Sequence, residues 1–420
     1  MRVMPKDACA HQDTNQDANR DGDATAAMPL AGVRVVDCST VFAGPAAAAY
    51  LADFGADVIK VEHPDGDHAR FFEPVHEDVS LWSKLVNRNK QSITLDLHGE
   101  QGQALFRRLT QDADVVIENF RPGTLERWNL GYDTLIEDNP QLIMLHVTAF
   151  GQTGPYSGRP GYGTLAEAMS GLSQLIGYPD RPPLLPPLAL GDNIGAIAGA
   201  FAVVTALFHR QRSGQGQQID LSLVEPLLAV LGVQTLVQSV TGTSLTRQGN
   251  RVQHLAPRGA WQTRDQRWIS VTVGNDNTFR SLALAMGMPG LVDDPRFSSN
   301  RARLAHVDEI EQVLADWFAA TDYAQALQLL EQYQVAHAPL YDAKQLLDDP
   351  QFQSREAFVK LEDDELGSAL LPNVIARFSA SPGAIRFAGR AKGADNLQVY
   401  RDRLGLSEQQ LQALSEKGVI

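Results

Sequence analysis

The feature that most constrains this chain is the strand, helix and second strand that follow one another from residue 32. Gly32-Val-Arg-Val-Val-Asp37 is a short β-branched run, a turn at Ala43-Gly44-Pro45 opens an Ala-rich helix to about Asp53, and Asp57-Val-Ile-Lys-Val-Glu62 is the next strand. Two strands separated by a helix within about thirty residues make a βαβ unit, in which the strands run parallel. The pattern recurs, with a helix over residues 100–110 leading into an apolar strand at 114–117, and a further apolar strand at 142–147 ending at Gly151-Gln-Thr-Gly-Pro155. An α/β fold with a Rossmann-like parallel-sheet large domain is therefore predicted. No Gly-x-Gly-x-x-Gly follows the first strand, and Ala43-Gly44-Pro45 cannot replace it, so a nicotinamide dinucleotide is not implied.

Domains usually hold roughly 100 to 200 residues, so 420 residues suggest two or three folding units. Residues 221–253 read as an apolar, Thr- and Gln-rich helix and connector. Trp261-Gln-Thr and Trp268-Ile-Ser-Val-Thr-Val273 then flank a polar turn over residues 264–267, which is a β-hairpin pattern. Helical patterns follow at 277–286, 307–318 and 323–333, with Thr321 or Asp322 available to cap the last. The chain closes on a helix whose Ser407-Glu-Gln-Gln410 has the capping-box form. The expected organisation is a disordered tail over 1–28, a large α/β domain over 29–222 completed by about 390–420, a linker over 223–253, a smaller α+β domain over 254–340, and a return linker over 341–389.

The formal charge of -14 argues against broad contact with nucleic acid or an anionic membrane, because such contacts need a basic surface. The apolar run at 194–208 falls short of the roughly 20 residues that span a bilayer and reads as a buried helix. The first 28 residues hold no apolar core of a secretory signal. Only Cys9 and Cys38 occur, which gives neither a disulfide framework nor a metal-ligand spacing. A reducing, cytoplasmic setting without a metal is expected.

The densest chemical signal lies in Arg159-Pro-Gly-Tyr-Gly-Thr-Leu-Ala-Glu-Ala-Met-Ser-Gly171, Pro186-Pro-Leu-Ala-Leu-Gly-Asp-Asn193 and Gly214-Gln-Gly-Gln-Gln-Ile-Asp-Leu-Ser222. Asp192 follows an apolar stretch and directly precedes the helix expected near Ile194. A carboxylate there is kept ionised by backbone N–H groups and the helix dipole, and position alone is equally met by a plain N-cap.

These segments, with Leu30-Ala-Gly-Val-Arg-Val-Val-Asp37, Ala43-Gly-Pro45, Phe54-Gly-Ala-Asp-Val-Ile-Lys-Val-Glu62 and Val116-Ile-Glu-Asn-Phe-Arg-Pro-Gly123, resemble the class III CoA-transferase family from about Pro29 to the C-terminus. That family includes formyl-CoA:oxalate and carnitine CoA-transferases. The resemblance implies that Asp192 attacks a thioester carbonyl to give an aspartyl anhydride and then an aspartyl-CoA thioester, the logic of nucleophilic catalysis. It implies backbone N–H groups at Asn193 and its neighbours as oxyanion donors. It also places the CoA substrate against Phe42, His63, Leu95, Asp96, Leu97, His98, Asn119, Phe120, Arg121, Arg127 and Tyr162, with Arg121 and Arg127 as a cationic fork for phosphate. No permanently bound cofactor is implied. The partners are an acyl-CoA, a small carboxylic acid and a second copy of the chain in an interlocked homodimer, threaded at 221–253 and 341–389.

The same motifs are shared with α-methylacyl-CoA racemases, which carry a His where this chain has Tyr162; a phenol is a weak base at neutral pH. A racemase or epimerase and a non-catalytic acyl-CoA binding protein are the alternatives. His146 and His209 read as packing residues. Oxalate-type members have Gln, Arg and Glu where this chain has Phe42, His63 and Gly163, and a run of glycines not found around Arg258-Gly259. Oxalate is therefore not the expected acceptor, and a roomier acceptor pocket is. Succinyl-CoA and a small dicarboxylate are the expected substrates, with Arg70, Arg88, Arg181 and Arg258 as candidate carboxylate anchors.

Overall fold

The computed structural model describes residues 28–420. Of the tail expected over 1–28 only Met28 is among them, and its carbonyl accepts a hydrogen bond from the Ala31 amide at 3.1 Å; Cys9 lies outside. The described chain divides into two compact units, one built from residues up to 163, 189–226 and 359–420, the other from 164–188 and 227–358. Residues 164–188 thus join the second unit, although the sequence reading kept them with the first.

The first unit is organised on a six-stranded sheet of β1 (Arg34–Asp37), β2 (Asp57–Glu62), β3 (Lys90–Thr94), β4 (Val115–Glu118), β5 (Ile143–Thr148) and β6 (Gln217–Ser222). All pairings are parallel, and the order is β3-β2-β1-β4-β5-β6, that of a doubly wound nucleotide-binding sheet. The middle strands are runs of Val, Ile, Leu and Met buried on both faces, as parallel sheets covered by helices require. The edge strands β3 and β6, Lys-Gln-Ser-Ile-Thr and Gln-Gln-Ile-Asp-Leu-Ser, were not expected as strands.

Helices α1 (Ala43–Asp53), α2 (Glu100–Thr110), α3 (Tyr132–Asp138) and α4 (Leu190–Ser213) follow. Small residues set how closely α1 and α4 approach. Ala46, Ala47, Ala48, Ala49 and Ala52 of α1 are buried, and a Cβ added to Gly199 of α4 would lie 3.1 Å from Leu145, 3.3 Å from Leu221 and 3.5 Å from Ala47. The apolar run read as too short to span a bilayer belongs to this 24-residue helix, which is long and apolar enough to do so. Its Gly and Ala face is nevertheless packed on β5, β6 and α1, while Ile197, Phe201, Val204 and Phe208 stay exposed on the other. Helices α5 (Val224–Leu231) and α6 (Gln234–Thr241) come next.

The second unit holds an antiparallel sheet of β7 (Arg258–Gln262), β8 (Trp268–Thr272) and β9 (His337–Pro339), in the order β9-β8-β7. The expected hairpin is present, with Trp268 opposite Gln262. Helices α7 (Asp276–Ala285), α8 (Val307–Ala320) and α9 (Tyr323–Gln332) close a core of Ile269, Val271, Phe279, Leu314, Phe318 and Leu330. Neither residue expected to cap α9 does so through its side chain: Thr321 bonds Trp317 O, Asp322 pairs with Arg264, and Asp265 from the hairpin loop accepts from the Tyr323 amide at 3.0 Å.

The chain then returns to the first unit. A hairpin of β10 (Phe358–Asp363) and β11 (Gly367–Pro372) precedes α10 (Asn396–Leu404) and α11 (Glu408–Glu416), and α11 carries the expected capping box of Ser407 and Gln410. The edge of β3 is closed by this segment. The Ser92 amide donates to Asp395 at 2.7 Å, the Thr94 amide to Asn396 at 2.9 Å, and the Tyr400 hydroxyl to Thr94 O at 2.6 Å.

Candidate active site

In a doubly wound sheet the ligand crevice lies beyond the C-terminal ends of the strands where their order reverses, here β1 and β4. The loops leaving these strands are fastened to each other. Asn119 donates from Nδ2 to Thr40 O and accepts at Oδ1 from the Thr40 amide, both at 2.7 Å. Its amide thus holds the loop rather than being open to a ligand.

Two cavities of about 410 Å³ and about 240 Å³ open there, and Thr40, His68 and Phe120 line both. Of the residues singled out from the sequence, His63, Leu95, Leu97, His98 and Phe120 line the larger. Phe42, Asn119, Phe120, Arg121, Tyr162 and Asp192 line the smaller. Arg121 therefore sits on the Asp192 side. Asp96 and Arg127 line neither: Arg127 is exposed and bonds Thr124 Oγ1 at 2.9 Å, while Asp96 lies between two histidines, with Oδ1 2.8 Å from His98 Nδ1 and 3.7 Å from His63 Nε2. Partial burial pushes the Asp96 carboxyl up, but hydrogen bonds from His98 and the two imidazoles hold it below its usual range.

Asp192 is not the N-cap. Helix α4 begins at Leu190 with Ala189 as its cap, which puts Asp192 inside the first turn, where the dipole still favours an anion. The backbone N–H of Asn193 donates to Ala189 O at 3.0 Å, so it is unavailable as an oxyanion donor. Gly163 decides where the carboxylate lies. A Cβ there would fall 2.1 Å from Asp192 Oδ2 and 2.6 Å from its Cγ. The room that Gly163 was expected to give an acceptor is thus filled by Asp192 itself.

Beneath the cavities lies a buried charge network that sequence reasoning missed. Lys90 contacts Asp37 at 2.8 Å, Lys60 contacts Asp67 at 3.1 Å and the Ser39 carbonyl, and Arg70 grips Glu62 at 2.6 and 2.7 Å. Asp67 in turn accepts from the Val41 amide at 3.0 Å, so the network pins the loop after β1 to the loop after β2. Burial pushes the carboxyls up, yet Lys90 and Lys60 hold Asp37 below its usual range, Arg70 and Lys60 hold Glu62 down, and Lys60 holds Asp67 down. Lys60 is held above its usual range by the same carboxylates against its burial, while burial draws Lys90 down to about 8. The available signal was a Lys and a Glu on one face of an otherwise apolar strand, Asp57-Val-Ile-Lys-Val-Glu62.

Of the candidate carboxylate anchors, Arg70 is taken by Glu62, and Arg88 by Asp53 at 2.6 Å in the protein interior. Arg181 is exposed, and Arg258 lines a cavity of about 710 Å³ in the second unit. His209 is exposed, whereas buried His146 contacts Glu118 at 2.6 Å, and Glu118 accepts from the Phe120 amide at 2.7 Å. Burial raises the Glu118 carboxyl above its usual range despite that imidazole.

A doubly wound sheet with a crevice at its reversal point and a carboxylate in the first turn of the helix beside it is an α/β architecture with a place for a ligand at the strand ends. Residues 30–396 match the model of CoA-transferase family III, and the chain belongs to that family. The succinyl-CoA–D-citramalate CoA-transferase of Chloroflexus aurantiacus is 41% identical over 394 residues, covering 93% of this chain and 98% of that one. The succinate–glutarate CoA-transferase of Agrobacterium fabrum is 36% identical, over 86% and 91% of the two chains. Among solved structures, a CAIB/BAIF family protein from Brucella suis superposes with a TM-score of 0.82 at 32% identity, covering 90% of this chain and 99% of that chain. The protein is a CoA-transferase.

Proposed function

We propose that this CoA-transferase takes CoA from succinyl-CoA and delivers it to a small dicarboxylic acid, with Asp192 as the nucleophile. The supporting observation is that the cavity holding Asp192 shares Thr40, His68 and Phe120 with a larger one, a run of space suited to a ligand with a nucleotide at one end and a thioester at the other. The relatives named for succinyl-CoA with D-citramalate and L-malate support the substrate class.

In the proposed sequence an Asp192 oxygen attacks the thioester carbonyl, the C–S bond breaks and CoA leaves as the thiolate, giving a mixed anhydride. The thiolate attacks the aspartyl carbonyl and expels the donor acid as its carboxylate. The acceptor carboxylate then attacks the aspartyl-CoA thioester, and the released thiolate attacks the acceptor carbonyl of the new anhydride, returning Asp192 as a free carboxylate. No external proton, oxidant or reductant enters the balance. His63, Leu95, Leu97 and His98 hold the nucleotide end, and Arg121 meets charge near the reacting end.

Incubation with succinyl-CoA alone, followed by hydroxylamine, should convert Asp192 to its hydroxamate, visible by peptide mass. Asp192→Ala should lower exchange by at least about 10⁴-fold, the scale on which loss of a nucleophile is felt. Full exchange in that variant, or loss of α-deuterium from a 2-methylacyl-CoA without any acceptor, would overturn the reading.

We also propose that the chain works as an interlocked homodimer. Exposed Ile197, Phe201, Val204 and Phe208 recur at helical spacing along α4, and Leu228, Val230, Val233, Leu236 and Val240 are exposed on α5, α6 and their connection. Exposed apolar rows of this kind mark interaction faces. The second copy is its proposed cover, with residues 221–253 and 341–389 as the threading segments.

A further inference from the structure

In the ladder between β2 and β3, Glu62 stands opposite Thr94. The residues that follow on each strand, His63 on one and Asp96 and His98 on the other, therefore leave the sheet side by side. One donor atom from each of the three residues lies within 4.8 Å of the other two, and Asp96 Oδ1 is 3.7 Å from His63 Nε2 and 2.8 Å from His98 Nδ1. Tetrahedral ligands at about 2.0–2.1 Å from a zinc ion are roughly 3.3 Å apart. The separations of 2.8 Å and 3.7 Å from Asp96 Oδ1 fall on either side of that value.

Hydrogen bonds hold these donors in place, and the one between His98 Nδ1 and Asp96 Oδ1 at 2.8 Å is the one an ion would replace. The Asp96 amide donates to Val419 O at 2.8 Å and the His98 amide to Asp96 Oδ1 at 2.9 Å, so the carboxylate is fixed by backbone at both ends of its loop. The other ring nitrogen of His63, Nδ1, lies 3.4 Å from Asp65 Oδ2. That nitrogen accepts from the Asp65 amide at 3.1 Å, so holding an ion at Nε2 requires the ring proton to leave that atom. The His98 ring packs edge-on to Trp128, with centroids 4.8 Å apart. Two imidazoles and one carboxylate are a donor set for a borderline divalent ion, not for magnesium or calcium, which prefer oxygen.

We infer that His63, Asp96 and His98 form a three-ligand site for a divalent transition ion of the zinc class, with its fourth position open. Loops after two adjacent strands assemble it, which is why no ligand spacing shows along the chain. His63 and His98 also line the cavity proposed for the nucleotide end, so ion uptake is read without CoA present, which keeps a failure of this inference distinct from a failure of that reading.

The full chain, stripped with chelator, is titrated with Zn²⁺ while tryptophan fluorescence is followed, and separately with Co²⁺ while visible absorption is recorded. Wild type should take up one ion per chain saturably, with a Co²⁺ spectrum of a low-coordinate nitrogen and oxygen site. His98→Ala and Asp96→Asn should each weaken uptake at least about tenfold, in line with the loss of a ligand or its partner. His68→Ala, which changes a nearby histidine outside the set, should leave it as in wild type. His98 is largely exposed, so its replacement should leave the fold intact, which circular dichroism checks. Absence of saturable uptake in wild type, or equal uptake after His98→Ala and Asp96→Asn, would show a hydrogen-bonded His-Asp-His cluster only and overturn the inference.

Discussion

The contact between Gly163 and Asp192 makes a glycine part of the reacting geometry. Its importance is spatial, since a Cβ would fall 2.1 Å from the carboxylate oxygen. Gly163→Ala should therefore swing Asp192 out of place and lower kcat by roughly 10²-fold, as misplacement of a reacting group by about 1 Å does. The thermal midpoint should fall as well, because the same Cβ would lie 2.8 Å from the Asp192 backbone nitrogen. Wild-type kcat in this variant would mean that the carboxylate does not react from this position. The charge network beneath has a different signature. Asp37, Glu62 and Asp67 are held below their usual range, so the folded protein binds fewer protons than the unfolded chain on the acid side. Their contribution to stability is fully present above the unfolded carboxyl values near ~4 and is lost as pH falls through the lower folded values. Lys60 is held above its usual range, so its contribution persists through neutral pH and fades only in strong alkali. Lys60→Met leaves buried Asp67 without its cationic partner, and should cost about 3–5 kcal/mol at pH 7 and flatten the acid limb of a plot of Tm against pH. A Tm within about 1 °C of wild type at pH 7 would show the network to be energetically neutral.

At the scale of elements, legibility in the sequence followed solvation. Strands β1, β2, β4 and β5 are interior, and continuous apolar runs announced them. Strands β3 and β6 sit at the two edges of the sheet, where polar residues such as Gln91, Gln217 and Asp220 are tolerated and the pattern resembles a loop. Lys60 and Lys90 went unread, since nothing in a sequence marks a charged side chain as buried until its partner is placed. Asp192 gained its role in the reading from family resemblance, because its position alone fits an ordinary helix start. The three donors at His63, Asp96 and His98 became neighbours only through strand register. Helix α4 shows both kinds of surface at once: glycines and alanines that fit the sheet, and a facing row of large apolar side chains. Phe201 is 73% exposed at the centre of that row. Under the proposed interlocked assembly, Phe201→Glu should keep newly made chains from assembling, so that light scattering coupled to size exclusion gives a monomer mass where wild type gives a dimer. A monodisperse dimer of unchanged stability would remove α4 from the interface.

At the scale of the whole molecule, the first unit is discontinuous in sequence, and its last segment does work that no other segment can. Strand β3 is an edge, and an open edge is a template for pairing with another chain. Residues 395–400 close it. Asp395 and Asn396 accept from the Ser92 and Thr94 amides, the Asp395 amide donates back to Ser92 O at 2.9 Å, and Tyr400 donates to Thr94 O. Val399, Tyr400, Leu404 and Leu411 also belong to the same buried cluster as Ile93, Phe106 and Leu135. Deleting residues 391–420 would therefore leave unpaired backbone groups on β3 and bare apolar core together. The truncated chain should form insoluble or high-mass material, even though Asp192 and both cavities lie upstream of the cut. Asp395→Ala tests the edge alone. It removes a carboxylate that is bonded to the Ser92 amide and to Arg390, and it should lower stability by about 1–3 kcal/mol while leaving the chain soluble. If the truncated chain instead ran as a monodisperse species with the wild-type melting temperature, the C-terminal segment would be an attachment to the sheet and not its closing edge.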